Sequence, residues 1–464
     1  MNAPTWRSTA QGDALPQDFA QRPDENASVR IVVSGLWHLG CVTAACAAEH
    51  FDVVGHDPDL ATIAQLTGGV PPIAEPGLGP LIEAGLRRGR LRFTTDAAVA
   101  ADADVVWITY DTPVDERDRA DVEPLFGRIT ELLAYAKPGA LIVVSSQVPV
   151  GFTERLERYA AQTGADVSFA YLPENLRLGE ALSVFREPDR IVAGVRTEAG
   201  KTRITELVRP FTANVVWMTP ESAEMTKHAL NGFLATSVTF INEIAGICER
   251  VGADVKDVER GLRSDERIGP RAYLTAGGGF AGGTLARDVR ALIAVAEHTH
   301  TPHNVLAGVI TTNAGQQQWA ERVLREELSE LKGTRIAILG LTYKPGTDTL
   351  RRSPAVELAR RLGEAGAEVR AYDPAVAELP RDHAGAFQLA ASVDGALRDA
   401  DAVVIGTPWP VFAQLRPKNF SVMRRRVIVD PTRFLEAQLR GIRNVHYRGV
   451  GLPRAVHSGA GGWG

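Results

Sequence analysis

From Val29 to Ser34 the chain reads VRIVVS, a β-branched run without polar alternation, the pattern of a strand covered on both faces. Gly35 and Gly40 bracket the turn that follows. An Ala-rich helical segment comes next, and a second apolar run from Phe51 to Gly55 ends at Asp57. Strand, helix and strand in that order predict a βαβ unit, hence a parallel sheet. Similar runs at 103–109 (ADVVWIT) and 140–146 (ALIVVSS) each close a helical stretch, so residues 29–215 are expected to form one α/β domain. From Pro220 the period changes. Leu230, Phe233, Leu234, Ile241, Ile244 and Cys248 recur at helical spacing, and no strong strand signal returns until near residue 331. Residues 216–325 are therefore read as a central helical region. The α/β pattern then repeats over 326–454, in RIAILGL (335–341), AEVRAYDP (367–374), ADAVVIGTP (400–408) and RRVIVDPT (425–432).

Composition narrows this little. A chain of 464 residues suggests roughly three domains. The net charge of −5 gives no reason to expect nucleic acid or an anionic membrane surface as partner. Cys41, Cys46 and Cys248 are too few and too poorly spaced for a disulfide framework or a zinc site, and no metal is expected. No segment offers the roughly 20 apolar residues of a membrane helix, and the N-terminus lacks a signal-peptide pattern, so a cytoplasmic protein is expected. Residues 1–28, polar and aperiodic, are read as a disordered tail, and 455–464 as a flexible one.

Chemistry enters at the first glycine turn. A strand, a Gly-rich turn, a helix and an acidic residue about 20 positions on form a dinucleotide-binding fingerprint. Asp57 would bond the adenosine ribose hydroxyls and repel a 2′-phosphate, which favours NAD over NADP. The copy is defective: GLWHLG keeps Gly35 and Gly40 but has Trp37 in the middle, where glycine lets backbone reach the pyrophosphate. An indole there either blocks that approach or turns away from it, and a turn binding no nucleotide is the alternative. The fold class expected is α/β, with two doubly wound Rossmann-like domains joined by the central helical region.

Many further segments carry a resemblance: AEPGL (74–78), DTPVDERDRADV (111–122), QVPVGFTE (147–154), LPENLRLGEAL (172–182), PDRIVAG (188–194), SAEMTKHALNGFLATSVTFINEIAGICERVGADV (222–255), SDERIGPR (264–271), GGGFAGGTLARD (277–288) and LGLTYKPGTDTLRRSPAVEL (339–358). Through them the chain resembles the UDP-glucose/GDP-mannose dehydrogenase family from about residue 29 to 452. The resemblance implies an N-terminal NAD domain, a central region that forms a homodimer, and a C-terminal domain holding a nucleotide sugar, UDP-glucose by default. It also implies oxidation of a sugar alcohol in two hydride transfers. Lys227 and Asn231 match the residues that stabilise the oxyanion; four apart on a helix, they share a face. Asp288 matches an aspartate holding a water beside the lysine, so Lys227 and Asp288 are expected to converge on the sugar carbon. Glu174 matches a glutamate of the hydrolytic step. Gly35, Trp37, Gly40, Asp57 and Thr112 fall at cofactor positions, and Arg267, Gly279, Gly282, Lys344 and Arg351 at substrate positions.

Departures cluster in the same segments. Aligned with the family, Thr284 stands where a nucleophilic cysteine belongs, Gln147 replaces a threonine that helps position a water, and Asp111 replaces a glycine near the cofactor. A threonine hydroxyl is almost un-ionised near neutral pH and is a far weaker nucleophile than a thiol. Three readings follow. One is a nucleotide-sugar oxidoreductase arrested at an aldehyde or keto sugar, or returning its hydride. Another is a four-electron dehydrogenase working through the aldehyde hydrate. The third is a non-catalytic homologue that binds a nucleotide sugar as a regulatory or scaffold protein.

Overall fold

The computed structural model describes residues 29–113, 121–174, 176–281, 283–380, 383 and 385–453. The tails expected at 1–28 and 455–464 lie outside the described residues, as does Gly282.

The first sheet takes β1 (Arg30–Ser34), β2 (Asp52–His56), β3 (Leu91–Thr94), β4 (Val105–Ile108), β5 (Ala140–Val144), β6 (Val167–Tyr171), β7 (Ile191–Val195) and β8 (Val215–Met218) in the order β3-β2-β1-β4-β5-β6-β7-β8. Every neighbouring pair is parallel except β6 and β7. The second sheet is parallel throughout and takes β9 (Arg335–Leu339), β10 (Glu368–Tyr372), β11 (Gln388–Leu389), β12 (Ala402–Ile405), β13 (Val427–Asp430) and β14 (His446–Gly449) in the order β11-β10-β9-β12-β13-β14. Both sheets start from a central strand and wind outwards both ways, as the α/β reading expects. The continuous apolar runs lie where both faces are covered: β4, β5, β12 and β13 are buried along their whole length.

Each sheet reverses its winding beside its first strand, and a glycine makes each turn there. Gly35 has φ +102° and Gly340 φ +91°, in the region that L side chains avoid. A Cβ on Gly35 would lie 2.5 Å from the Tyr110 nitrogen, and one on Gly40 only 1.8 Å from the Gly35 carbonyl oxygen. The two glycines of the fingerprint are thus required by close packing of turn, helix and β4.

The helix Pro220–Val251 joins the halves. Thr219 caps its start by accepting from the Ser222 N–H, Pro220 occupies its first turn, and Gly252 at φ +82° ends it. Its 32 residues extend about 48 Å. Ala223, near its start, packs into the core of the first sheet; Ile241, Ala245 and Cys248 pack into that of the second. The apolar positions do not form one stripe. Ile241 and Cys248 face inward, whereas Phe233 is 69% exposed and lies with Phe240, Ile247 and Val251 on an outward line. The helices Val255–Ser264, Thr284–His298, Asn304–Gln317 and Trp319–Leu328 fill the rest of the central region.

Candidate functional site

At the first switch point, beyond the carboxyl end of β1, Gly35, Leu36, Trp37, Asp57, Tyr110 and Arg128 line a cleft of about 560 Å³. Crevices there are where open parallel sheets bind ligands. The helix His38–Ala47 starts at the cleft and aims its free N–H groups toward it. Trp37 precedes that helix with its side chain 47% exposed, so the indole lines the cleft without plugging the turn. Asp57 accepts from the Leu36 and Asp59 N–H groups, which fixes its carboxylate at the cleft wall. These residues fit a dinucleotide. The equivalent acid of the second sheet differs. Asp373 is buried, and one of its oxygens accepts from Leu341 N–H, Thr342 N–H, the Thr342 hydroxyl and the Trp409 indole, so it serves the turn itself.

A second group of side chains gathers between the sheets. Lys227 is only 5% exposed, and its ammonium donates to the Glu174 carbonyl and, at 3.5 Å, to the Glu174 carboxylate. Asn231, one turn along the same helix, donates to Asp288 Oδ2. Asp288 is fully buried, and its Oδ1 meets both the Gln147 amide and, at 2.8 Å, His228 Nδ1. Among the described residues Lys227 and Asp288 make no direct hydrogen bond; Asn231, one turn from the lysine, bonds the carboxylate. The lysine pairs with Glu174, while Asp288 meets Gln147, His228 and Asn231.

Thr284 is the first residue of the helix Thr284–His298, exposed, one turn before Asp288 and on the same face. Gly283 before it has φ +121°, and a Cβ there would lie 3.1 Å from the Arg352 guanidinium, so the second sheet's loops reach this helix start. The glycine strip is pinned by amides: Asn242 accepts from Gly277 N–H, Asn313 pairs with both backbone groups of Phe280, and Gln316 and Gln317 donate to Gly277 and Phe280 carbonyls. Gly279 packs on Asn313 and Gln317, where a Cβ would come within 2.9 Å of both. Its lack of a side chain serves packing.

Thr112 donates to the Gln147 carbonyl at 2.6 Å, which joins the cleft to the buried group. Lys344 reaches across from the second sheet to the Leu178 carbonyl. Two residues expected to bind substrate lie outside these hydrogen-bonded groups. Arg267 is an exposed side chain paired with Asp265, held outward by an ion pair two residues away. Arg351 lines a cleft of about 1100 Å³ with Glu357, Val376 and His383, whose walls come from the helix Pro354–Glu364 and loops of the second sheet.

Three residues with parts in the site escaped the sequence reading. Glu75, in AEPGL, accepts from the Gly179 and Ala181 N–H groups and from His38 Nε2, clasping the loop that carries Glu174. Burial pushes its carboxyl up, but those hydrogen bonds prevail and hold it below the ordinary value. His228 sits between Lys227 and Asn231, and Arg128 stacks over the Tyr110 ring at 4.9 Å in the cleft wall. A carboxylate inside an AEPGL turn was the one legible signal; His228 and Arg128 look like ordinary helix residues. Burial and then the charges of Glu224, Glu174 and Asp288 push the Tyr171 hydroxyl well up. Among the described residues no group of acidic, His and Cys side chains has the form of a metal site.

Sequence models of one family match most of the chain. The NAD-binding domain of the UDP-glucose/GDP-mannose dehydrogenase family matches residues 29–212, its central domain 221–315 and its UDP-binding domain 337–437. A UDP-glucose 6-dehydrogenase of Rhizobium meliloti is 36% identical over 92% of this chain and 100% of its own length. The UDP-glucose 6-dehydrogenase TuaD of Bacillus subtilis is 35% identical over 91% and 93%. Among solved structures, a UDP-glucose dehydrogenase from Pyrobaculum islandicum superposes with a TM-score of 0.85 at 32% identity, covering 93% of this chain and 99% of that one. A UDP-D-ManNAc dehydrogenase from Pyrococcus horikoshii gives 0.81 at 26% identity, covering 91% and 99%.

Proposed function

Since the chain belongs to the UDP-glucose/GDP-mannose dehydrogenase family, we propose that it is a cytoplasmic, NAD-dependent oxidoreductase that oxidises the C6 alcohol of a UDP-sugar, UDP-glucose by default, and stops after the first oxidation. The observation that carries this reading is the buried ammonium of Lys227, one helical turn from the Asn231 amide. An alcohol becoming an aldehyde develops negative charge on oxygen, and a pre-placed cation and N–H donor stabilise it most where water is excluded. Glu174 steadies the ammonium without neutralising it tightly, since carboxylate and Nζ stand 3.5 Å apart. NAD, when bound, accepts the hydride. Gly35, Gly40, Asp57 and Thr112 are assigned to hold it, and Lys344 and the pinned glycine strip to hold the sugar nucleotide.

An aldehyde has no second hydride to give until a nucleophile adds to it. Thr284 supplies only a hydroxyl, and all three cysteines are buried in other places. One NADH per sugar is therefore expected when the protein, NAD and UDP-glucose are mixed and absorbance is followed to completion. Two NADH would overturn the arrest. Absence of NADH in a mixture where calorimetry registers both ligands would support a binding homologue instead. That second reading is favoured by one feature: three protein donors already take most of the accepting capacity of Asp288, which leaves about one site for a reacting water.

The outward line of Phe233, Phe240, Ile247 and Val251 supports a further part of the reading, that two copies pair along the long helix. The first three stand seven residues apart, the spacing of a helix–helix seam.

A further inference from the structure

His228 touches Asp288 through one ring nitrogen and the Val148 carbonyl through the other, each at 2.8 Å. A carbonyl only accepts, so Nε2 carries a hydrogen. A neutral ring with its hydrogen on Nε2 would turn the Nδ1 lone pair onto a carboxylate oxygen at hydrogen-bond distance, a repulsive contact in a buried place. A second proton must lie between them. The carboxylate already accepts from the Gln147 and Asn231 amides, so it is the ionised partner and the proton belongs to the ring. On the long helix Lys227 faces Glu174 from the loop after β6, and Glu224 is taken up by the Gly151 and Thr153 N–H groups and the Thr153 hydroxyl. Tyr171 of β6 is uncharged, and Arg287 on the Thr284 helix adjoins the same group. A positive charge can reach Asp288 directly through His228 Nδ1, at 2.8 Å.

From this geometry we propose that His228 is a doubly protonated positioning residue for the redox reaction. As an imidazolium it anchors Asp288 to the loop at Val148; Asp288 fixes which way the Asn231 amide points; and Asn231 then presents its remaining N–H to the oxygen being oxidised. Gln147 braces the same carboxylate and, through its own carbonyl, the cofactor-side residue Thr112. The inference rests on the proposed function insofar as it names a reaction, but the state of the ring does not.

Two variants divide the ring's two bonds. His228→Asn keeps an N–H near the Nδ1 position and so the contact with Asp288; His228→Gln keeps one near Nε2 and so the contact with Val148. The expected result is that H228N retains at least about tenfold more kcat than H228Q, with KM for NAD and UDP-glucose within roughly twofold of wild type in both. Equal losses in the two variants, or losses confined to KM, would overturn the positioning role. Nitrogen NMR of the full chain labelled at histidine gives a readout free of turnover, with the His228 signals assigned by their absence from H228N. Both ring nitrogens should be protonated at neutral pH, and a bare Nδ1 would sink the proposal. A wild-type chain that binds both ligands without making NADH defeats the proposed function and, with it, the kinetic part; the spectrum then decides the protonation alone.

Discussion

Thr284 opens a helix, and the place matters more than the hydroxyl. The free N–H groups of a helix start act as a partial positive charge, which lowers the pKa of a thiol but leaves a threonine hydroxyl almost entirely protonated. Thr284→Cys should therefore raise the second oxidation step by at least roughly tenfold and move the yield from one NADH per sugar toward two. An unchanged yield, with the variant still binding both ligands, would remove residue 284 from the reacting centre. At this scale the sequence shows which residues share a face and hides which partners they take. Lys227 and Asn231 share a face because helical spacing demands it, and that is visible in the chain. The partner of Lys227 comes from the loop after β6, and Asp288 meets Gln147 from the loop after β5 as well as His228 and Asn231 of the long helix. No local pattern encodes such long-range pairing.

The long helix shows what a period conveys and what it leaves out. Its apolar positions predicted a helix, which the chain forms, but a helix packed on two cores and against a further surface spreads apolar residues round its circumference. Which of them face outward depends on where the neighbouring helices stop. If a second copy covers the outer line, each buried Phe or Ile contributes about 1.5–3 kcal/mol, counted twice at a two-fold interface. Phe233→Glu combined with Ile247→Glu should then convert a dimer to a monomer in analytical ultracentrifugation while the far-UV spectrum stays the same. A wild-type protein sedimenting as a monomer at micromolar concentration would refute the pairing. Strands were legible in the same uneven way. The fully covered β4, β5, β12 and β13 announce themselves as apolar runs, whereas β3, LRFT at one rim, carries no comparable signal, and β8, VVWM at the other, reads like β4 although none of its residues is fully covered.

Across the whole molecule, the third unit is fastened to the central helices by charge as well as by its core. Arg433 is nearly buried and pairs with Asp254 and Glu436, while Lys256 reaches Glu436 from the helix that Asp254 caps. Burial would raise the Glu436 carboxyl, but hydrogen bonds from Arg433 and Lys256 outweigh it and hold the group at about 2, down from 4.5. A carboxyl depressed in the folded state adds stability above its unfolded value and loses it as pH falls through the folded one. The Glu436 contribution should thus be complete above 4.5 and fade toward 2, so Glu436→Gln should flatten the acid-unfolding curve in that window. A variant curve parallel to wild type there would show the network to be inert. The thiols have the opposite tendency: burial pushes Cys41 and Cys46 up to about 12, and Cys248 is raised as well. A protein whose cysteine thiols are all shut away resists thiol-directed alkylating agents. It also leaves the helix start at 284 as a blank address, where one introduced cysteine would take a fluorophore or spin label with no competitor elsewhere in the fold.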